Sequence, residues 1–347
     1  MLTSHRQNSF DALRLFAAWL VILGHGFILS GSTERLPLWG GIDVSVLGVA
    51  IFFTISGFLI WKSWASATTW HDFVAARALR IFPALILVVF VTVAILGPLV
   101  TSVGAGEYFG DFSTYKYLLN SFIIDPQYTL PGVFLNLPVT DAVNGSLWTL
   151  RAELLCYIAV PLAAFFPRIF QPYLLFASGF ALIYFGLGTN TLLFGTNVSV
   201  ASLYWGFFAM GSGLAAVNFR NKLTFVIPIT SVIVWLLATS SSNIFLQVLG
   251  MCSLAVAIIA AGLLNIPLIR DTARFGDFSY GMYLVAFPIQ QTLLLVLPGE
   301  SPWLYVAIVT VISLVIAWVI WHLIEARALS QKRNLSSWLR RHTSSPL

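Results

Sequence analysis

The stretch SFDALRLFAAWLVILGHGFIL, residues 9–29, decides how this chain is read. Its length and apolar content suit a helix crossing a bilayer, which needs about 20 such residues. Yet it carries Asp11 and Arg14 in its first turns and His25 towards its far end. On a helix of about 100° per residue, Arg14 and His25 return to one face, about 16 Å apart along the axis. Asp11 lies one turn before Arg14 on nearly the same stripe. An ionised residue at the centre of a spanning helix costs about 2.5–3.5 kcal/mol. A stripe of this kind is therefore expected to line a wet passage. Taken singly, Arg14 also suits an anchor snorkelling to headgroups, and His25 a buried imidazole bonded to a carbonyl. Their shared register favours the passage.

The rest of the chain agrees with a membrane reading. Hydrophobic residues make up 59% and charged residues only 9%, where a soluble domain carries about a quarter charged. The apolar runs are long and unbroken, not alternating ten-residue segments, so the expected fold class is all-α, a polytopic transmembrane helix bundle rather than a barrel. Spans are expected near 11–29, 43–62, 78–99, 145–166, 173–188, 198–217, 223–239, 244–266, 277–297 and 303–324. The first runs past signal-peptide length and is not read as cleaved. The sequence divides into a transmembrane domain over 1–330 and a short basic cytoplasmic tail over 331–347, with no internal repeat.

Orientation follows from Lys and Arg in the short loops. With the N-terminus inside, Arg6, Lys62, Arg77, Arg80, Arg168, Arg220, Lys222, Arg270, Arg274, Arg327, Lys332, Arg333, Arg340 and Arg341 are inner, and only Arg35 and Lys116 are outer. The outer loops hold Glu34, Glu107, Asp111, Asp125, Asp141 and Glu300. Both termini are thus expected in the cytoplasm. The net charge of +5 reflects this topology and gives no reason to expect a nucleic-acid partner. Cys156 and Cys252 sit in apolar runs as core fillers, and no metal site is expected. The long outer loop, about 100–143, is apolar enough for a short interfacial helix, a plug or a cover over the bundle's mouth.

Further charges invite a role. Arg77 and Arg80, three residues apart, share a face. Two guanidiniums there suit an anionic ligand, or else a plain topology signal. Glu153 is expected two to three turns into the fourth span, after an Asn144 cap, and needs a partner or a proton. Arg151, only two residues away, faces elsewhere. Ser56 and Gly57 permit close helix packing or line the passage. His71 and Asp72 read as a solvated turn, His322 with Glu325 as an interfacial pair, and Asp277 as the cap of the ninth span.

With these residues in place, the chain resembles the acyltransferase-3 family of integral membrane acyltransferases over essentially its whole length. The segments FDALRLFAAWLVILGH, GVAIFFTISGFLIW, FVAARALRIFPAL, NGSLWTLRAELLCYIAVPL and FGDFSYGMYLVAFPI carry the resemblance. The first and third hold the family's Arg-x10-His and Arg-x-x-Arg patterns, here Arg14 with His25 and Arg77 with Arg80. The resemblance implies transfer of an acyl group, usually acetyl, from cytoplasmic acyl-coenzyme A to a hydroxyl of a glycan. It makes His25 the catalytic histidine and assigns Arg14, Arg77 and Arg80 to the coenzyme. Glu153 matches the family's acidic position after SLW. One departure is Ala286, which stands where many members have a second histidine.

On this reading the protein lies in a cell membrane, expected to be the bacterial inner membrane, with lipids, acyl-coenzyme A (acetyl-CoA expected) and a carbohydrate acceptor as partners. His25 acts as general base, since imidazole titrates near neutrality, or carries the acyl group itself. Glu153 is the second catalytic candidate, orienting His25 or binding acceptor hydroxyls. Asp11, Ser56 and Arg151 are candidates for substrate binding. The rival class is a transporter or flippase, because a polar stripe through a bundle also describes a permeation path.

Overall fold

The structure, a computed structural model, describes residues 9–34, 36–140, 142–189, 192–193, 196–219, 224–265 and 275–343. Arg6, Arg35, Asp141, Arg220, Lys222, Arg270 and Arg274, all used in the topology reading, lie outside the described residues. Each expected span contains a helix. In chain order these are α1 (Phe10–Leu29), α2 (Val44–Ala65) and α3 (Trp70–Val91), then two short loop helices, α4 (Ala105–Gly110) and α5 (Phe112–Lys116). There follow α6 (Trp148–Ala164), α7 (Gln171–Gly188), α8 (Val198–Ala216), α9 (Val226–Thr239), α10 (Ile244–Leu263), α11 (Ser279–Val296), α12 (Pro302–Ile320) and α13 (Lys332–Thr343). Helix α3 runs on to Val100 and α12 to Ser330, each through one π-helical turn. A two-residue hairpin, Leu192–Leu193 with Thr196–Asn197, precedes α8. Among the described residues, seven helices are long and apolar enough to cross a membrane: α1, α2, α3, α7, α8, α10 and α12, with α9 apolar but shorter. Large apolar side chains stay exposed in a stripe on α9, at Val226, Ile229, Ile233 and Leu237. Lipid tolerates such a stripe; water does not.

Two helix starts differ from expectation. Helix α3 begins at Trp70, not near 78, because Thr69 and Asp72 form a capping box that satisfies its first amides. His71 and Asp72 are therefore helical residues rather than a solvated turn. Helix α6 begins at Trp148, so Glu153 lies less than two turns in. Asn144 does not cap it. Its Oδ1 accepts from the Ser146 amide at 3.1 Å in a local turn.

The chain forms two compact units, and the division falls within α1 and α6. One unit comprises Met1–Val21, Leu36–Ala65 and Ala152–Asp277. Its packing relies on small residues, as membrane helices do. A methyl group on Gly57 of α2 would collide with the Phe208 carbonyl of α8, and one on Gly211 with the Thr54 carbonyl. Ser212 Oγ donates to the Gly57 carbonyl at 3.1 Å across the same seam. On α7, Gly186 meets the α8 backbone in the same way, and Gly179 packs on the Met210 side chain of α8. Phe10 covers Gly262 of α10 and packs on Phe58 with ring centroids 5.5 Å apart.

The other unit comprises Ile22–Arg35, Ser66–Arg151 and Phe278–Leu347. Its helices α11 and α12 pack closely where Gly281 meets Ala317. The long loop folds into α4, α5 and the 3-10 turn Tyr117–Phe122. Tyr108 of α4 is fully buried against Gly97 and donates to the Val93 carbonyl at 3.0 Å, tying the loop to the end of α3. Burial pushes its phenol up to about 12. Asp111 caps α5, and the Ser113 amide bonded to it holds its carboxyl below the ordinary range.

Candidate active site

The C-terminal half of α1 holds His25, half-buried. Its imidazole meets the edge of Phe287 on α11, with centroids 5.4 Å apart. Three local features put Phe287 there. Pro288 has no amide hydrogen, so the Leu284 carbonyl one turn back lacks its helical partner. Asn144 Nδ2 supplies one at 2.9 Å. The bond brings the Asn144–Ser146 turn onto α11, and Gly145 lies so close to Phe287 that no Cβ fits between them. Tyr283 completes the lock, its hydroxyl 2.6 Å from Thr149 Oγ1 and 3.2 Å from the Ser146 carbonyl. One turn before His25, the Ile22 carbonyl accepts from buried Gln290 Nε2 at 2.8 Å. The His25 ring nitrogens make no hydrogen bond with any described residue, which leaves them available to a substrate. Ala286 is buried in this same helix and brings no second imidazole.

In the same unit, Arg77 and Arg80 stand one turn apart on α3, both half-buried. Arg80 Nη1 is 2.7 Å from Glu325 Oε2, and its guanidinium lies 5.5 Å from the Tyr280 ring centroid and 5.8 Å from that of Trp321. Glu325 is fully buried, so the pairing of His322 with Glu325 does not form. His322 instead bonds the Trp318 carbonyl through Nδ1 at 2.9 Å. The π-helical turn Trp321–Glu325 ends at the carboxylate that reaches Arg80. Arg151, half-buried in the first turn of α6, makes no hydrogen bond or ion pair with a described residue.

In the other unit, Arg14 Nη1 is 2.8 Å from Asp277 Oδ2, and Asp11 lies one turn below it on α1, half-buried. Asp277 is therefore not the cap expected of it. Phe278 occupies the cap position of α11, and its side chain makes no capping hydrogen bond. Glu153 accepts at Oε1 from Ser56 Oγ at 3.0 Å and from the Tyr157 hydroxyl. Two donors on one oxygen fix the carboxylate and leave Oε2 for another ligand. Tyr157 was not singled out from the sequence. Its place four residues after Glu153, on the same helical face, is the signal that would have found it. The partners Asp277 and Glu325 were read in other roles, because only the fold brings them to arginines far away in sequence.

The fold is that of a multi-pass helical membrane protein, and an imidazole, a carboxylate and arginines are side chains that group transfer can use. The comparisons with known proteins specify the group. A family described as acyltransferase domain matches residues 7–322, and the chain belongs to this acyltransferase-3 family. It is 30% identical to an O-acetyl transferase of Shigella phage Sf6, over 94% of this chain and 97% of that protein. It is 29% identical to Nodulation protein 10 of Rhizobium leguminosarum bv. viciae, over 96% of each. No solved structure matches the chain. The protein is thus a membrane acyltransferase that moves groups other than aminoacyl groups.

Proposed function

We propose that this enzyme O-acetylates a glycan, taking acetyl from cytoplasmic acetyl-CoA, with His25 as general base. The observation that carries the reading is the His25 imidazole: set on a spanning helix, steadied by Phe287 and bonded to no described residue. An acceptor hydroxyl gives its proton to His25 as its oxygen attacks the thioester carbonyl. The carbon–oxygen bond forms, the carbon–sulfur bond breaks, and the proton passes from the imidazolium to the departing thiolate. Direct attack needs no acyl-imidazole held near water. Glu153, held by Ser56 and Tyr157, is assigned to the acceptor's hydroxyls, with Arg151 as a further acceptor contact.

The cations suit the donor's nucleotide phosphates. Arg77 is assigned to them directly, and Arg80 is pre-oriented by Glu325 for the same task. Arg14 stands on the same helix as His25, about 16 Å along it, a length suited to the donor's flexible arm. The topology follows the charge bias. Lys62, Arg77, Arg80, Arg168 and Arg327 would lie inside and Lys116 outside, in a bacterial inner membrane. This arrangement solves the supply problem, because the donor is made inside and surface glycans are exposed outside.

The donor role of the arginine pair is tested by calorimetry with acetyl-CoA on purified protein in nanodiscs. A charge-assisted hydrogen bond contributes about 1.5–3 kcal/mol. Arg77→Ala and Arg80→Ala should each weaken binding about 10–100-fold, and rising salt should weaken wild-type binding. Wild-type affinity in both variants would remove the pair from the donor site.

A further inference from the structure

Helix α13 has a face that the acyltransferase reading does not use. It begins two residues after the helical run of α12 ends at Ser330, next to the end of the last helix long and apolar enough to cross a membrane. It then folds back on the first turn of α3. Asp72 takes Arg340 Nη2 at 2.7 and 2.9 Å and Ser336 Oγ at 2.6 Å, while His71 Nε2 is 2.6 Å from Thr343 Oγ1. Both attachments fasten α13 to the first turn of α3, a helix long and apolar enough to cross a membrane.

The helix turns Ser336, Leu335 and Leu339 inward. Its free face carries Arg333, Ser337, Arg341 and Trp338, the last 49% exposed. From Ala326 to Thr343 the sequence has Arg327, Lys332, Arg333, Arg340 and Arg341 and no acidic residue. Arg340 is neutralised by Asp72. Arg333 and Arg341 make no hydrogen bond or ion pair with a described residue. An exposed Trp between two unpaired arginines, on a helix fastened to the end of a membrane-length helix, matches what lipid headgroups select: an amphipathic ring at the interface and cations for acidic phosphates.

We propose that α13 is a lipid-binding helix whose Arg333–Trp338–Arg341 face seats on the headgroups of acidic phospholipids. Asp72 holds it flat, so that its free face meets the leaflet. The inference is independent of the reaction assigned to the enzyme.

Hydrogen–deuterium exchange of the full chain in nanodiscs tests it. In nanodiscs with one part phosphatidylglycerol to about two parts phosphatidylcholine, the amides of 332–343 should exchange about tenfold or more slowly than in phosphatidylcholine alone. High salt should erase the difference. Arg333→Gln with Arg341→Gln should erase it too, with α3 exchange unchanged. Equal exchange of the wild-type chain in the two lipids overturns the proposal. Protection in pure phosphatidylcholine brought about by adding coenzyme A also overturns it, and would give this face to the donor nucleotide instead. Both wild-type comparisons stand even if the double variant fails to fold.

Discussion

His25→Ala is expected to lower kcat/KM for acyl transfer by about 10²–10⁴-fold, the usual contribution of a general base. Acetyl-CoA affinity and thermal stability should stay near wild type. The separation is sharp because His25 gives up little structure. Its ring meets the Phe287 edge and makes no hydrogen bond with a described residue, so truncation strands no donor or acceptor. Loss of rate with binding and fold intact places the effect in the transition state alone. His25→Gln keeps much of the volume and a hydrogen-bonding end but has no basic nitrogen to take the acceptor's proton, so it should be equally slow. A variant that transfers at the wild-type rate would remove His25 from the chemistry. One that loses acetyl-CoA binding together with rate would make it a binding residue.

The second large effect is on stability. Gly57→Ala and Gly211→Ala each drive a methyl group into a backbone carbonyl of the neighbouring helix, Phe208 and Thr54 respectively. A flexible side chain can step aside, but here α2 and α8 must separate. Overpacking costs about 1–3 kcal/mol, and a rigid backbone contact belongs at the upper end. The double variant should cost clearly less than the sum of the two, because one displacement of the helices relieves both clashes. Gly106→Ala, in α4 with open space around it, should be neutral or slightly stabilising. Thermal unfolding in detergent checks all four variants. Additive losses would mean that the two glycines do not share one seam.

Hydropathy made the helices legible. It is a local property, and every expected span contains a helix. It misplaced helix starts wherever hydrogen bonding sets the boundary. The Thr69–Asp72 box begins α3 about two turns early, and the Asn144 turn delays α6. The candidate residues were legible as pairs on single helices, Arg14 with His25 on α1 and Arg77 with Arg80 on α3. Their partnerships were not. Arg14 meets Asp277, Arg80 meets Glu325, and Asp72 meets Arg340 across separations of 263, 245 and 268 residues. A buried charge announces that it needs a partner, but only the fold says which. The Tyr157–Glu153 bond is the exception, because it obeys helix spacing.

Sidedness is the most direct test of the central claim. Sealed membrane vesicles carrying the enzyme and the cell's own glycans are prepared in both orientations and given radiolabelled acetyl-CoA from outside. Inverted vesicles, which present the cytoplasmic face, should build label into glycan, with none in His25→Ala vesicles. Right-side-out vesicles should stay unlabelled until made leaky. Labelling of intact right-side-out vesicles, or labelling that persists without His25, would contradict delivery of the donor from the Arg77–Arg80 face to the imidazole at position 25.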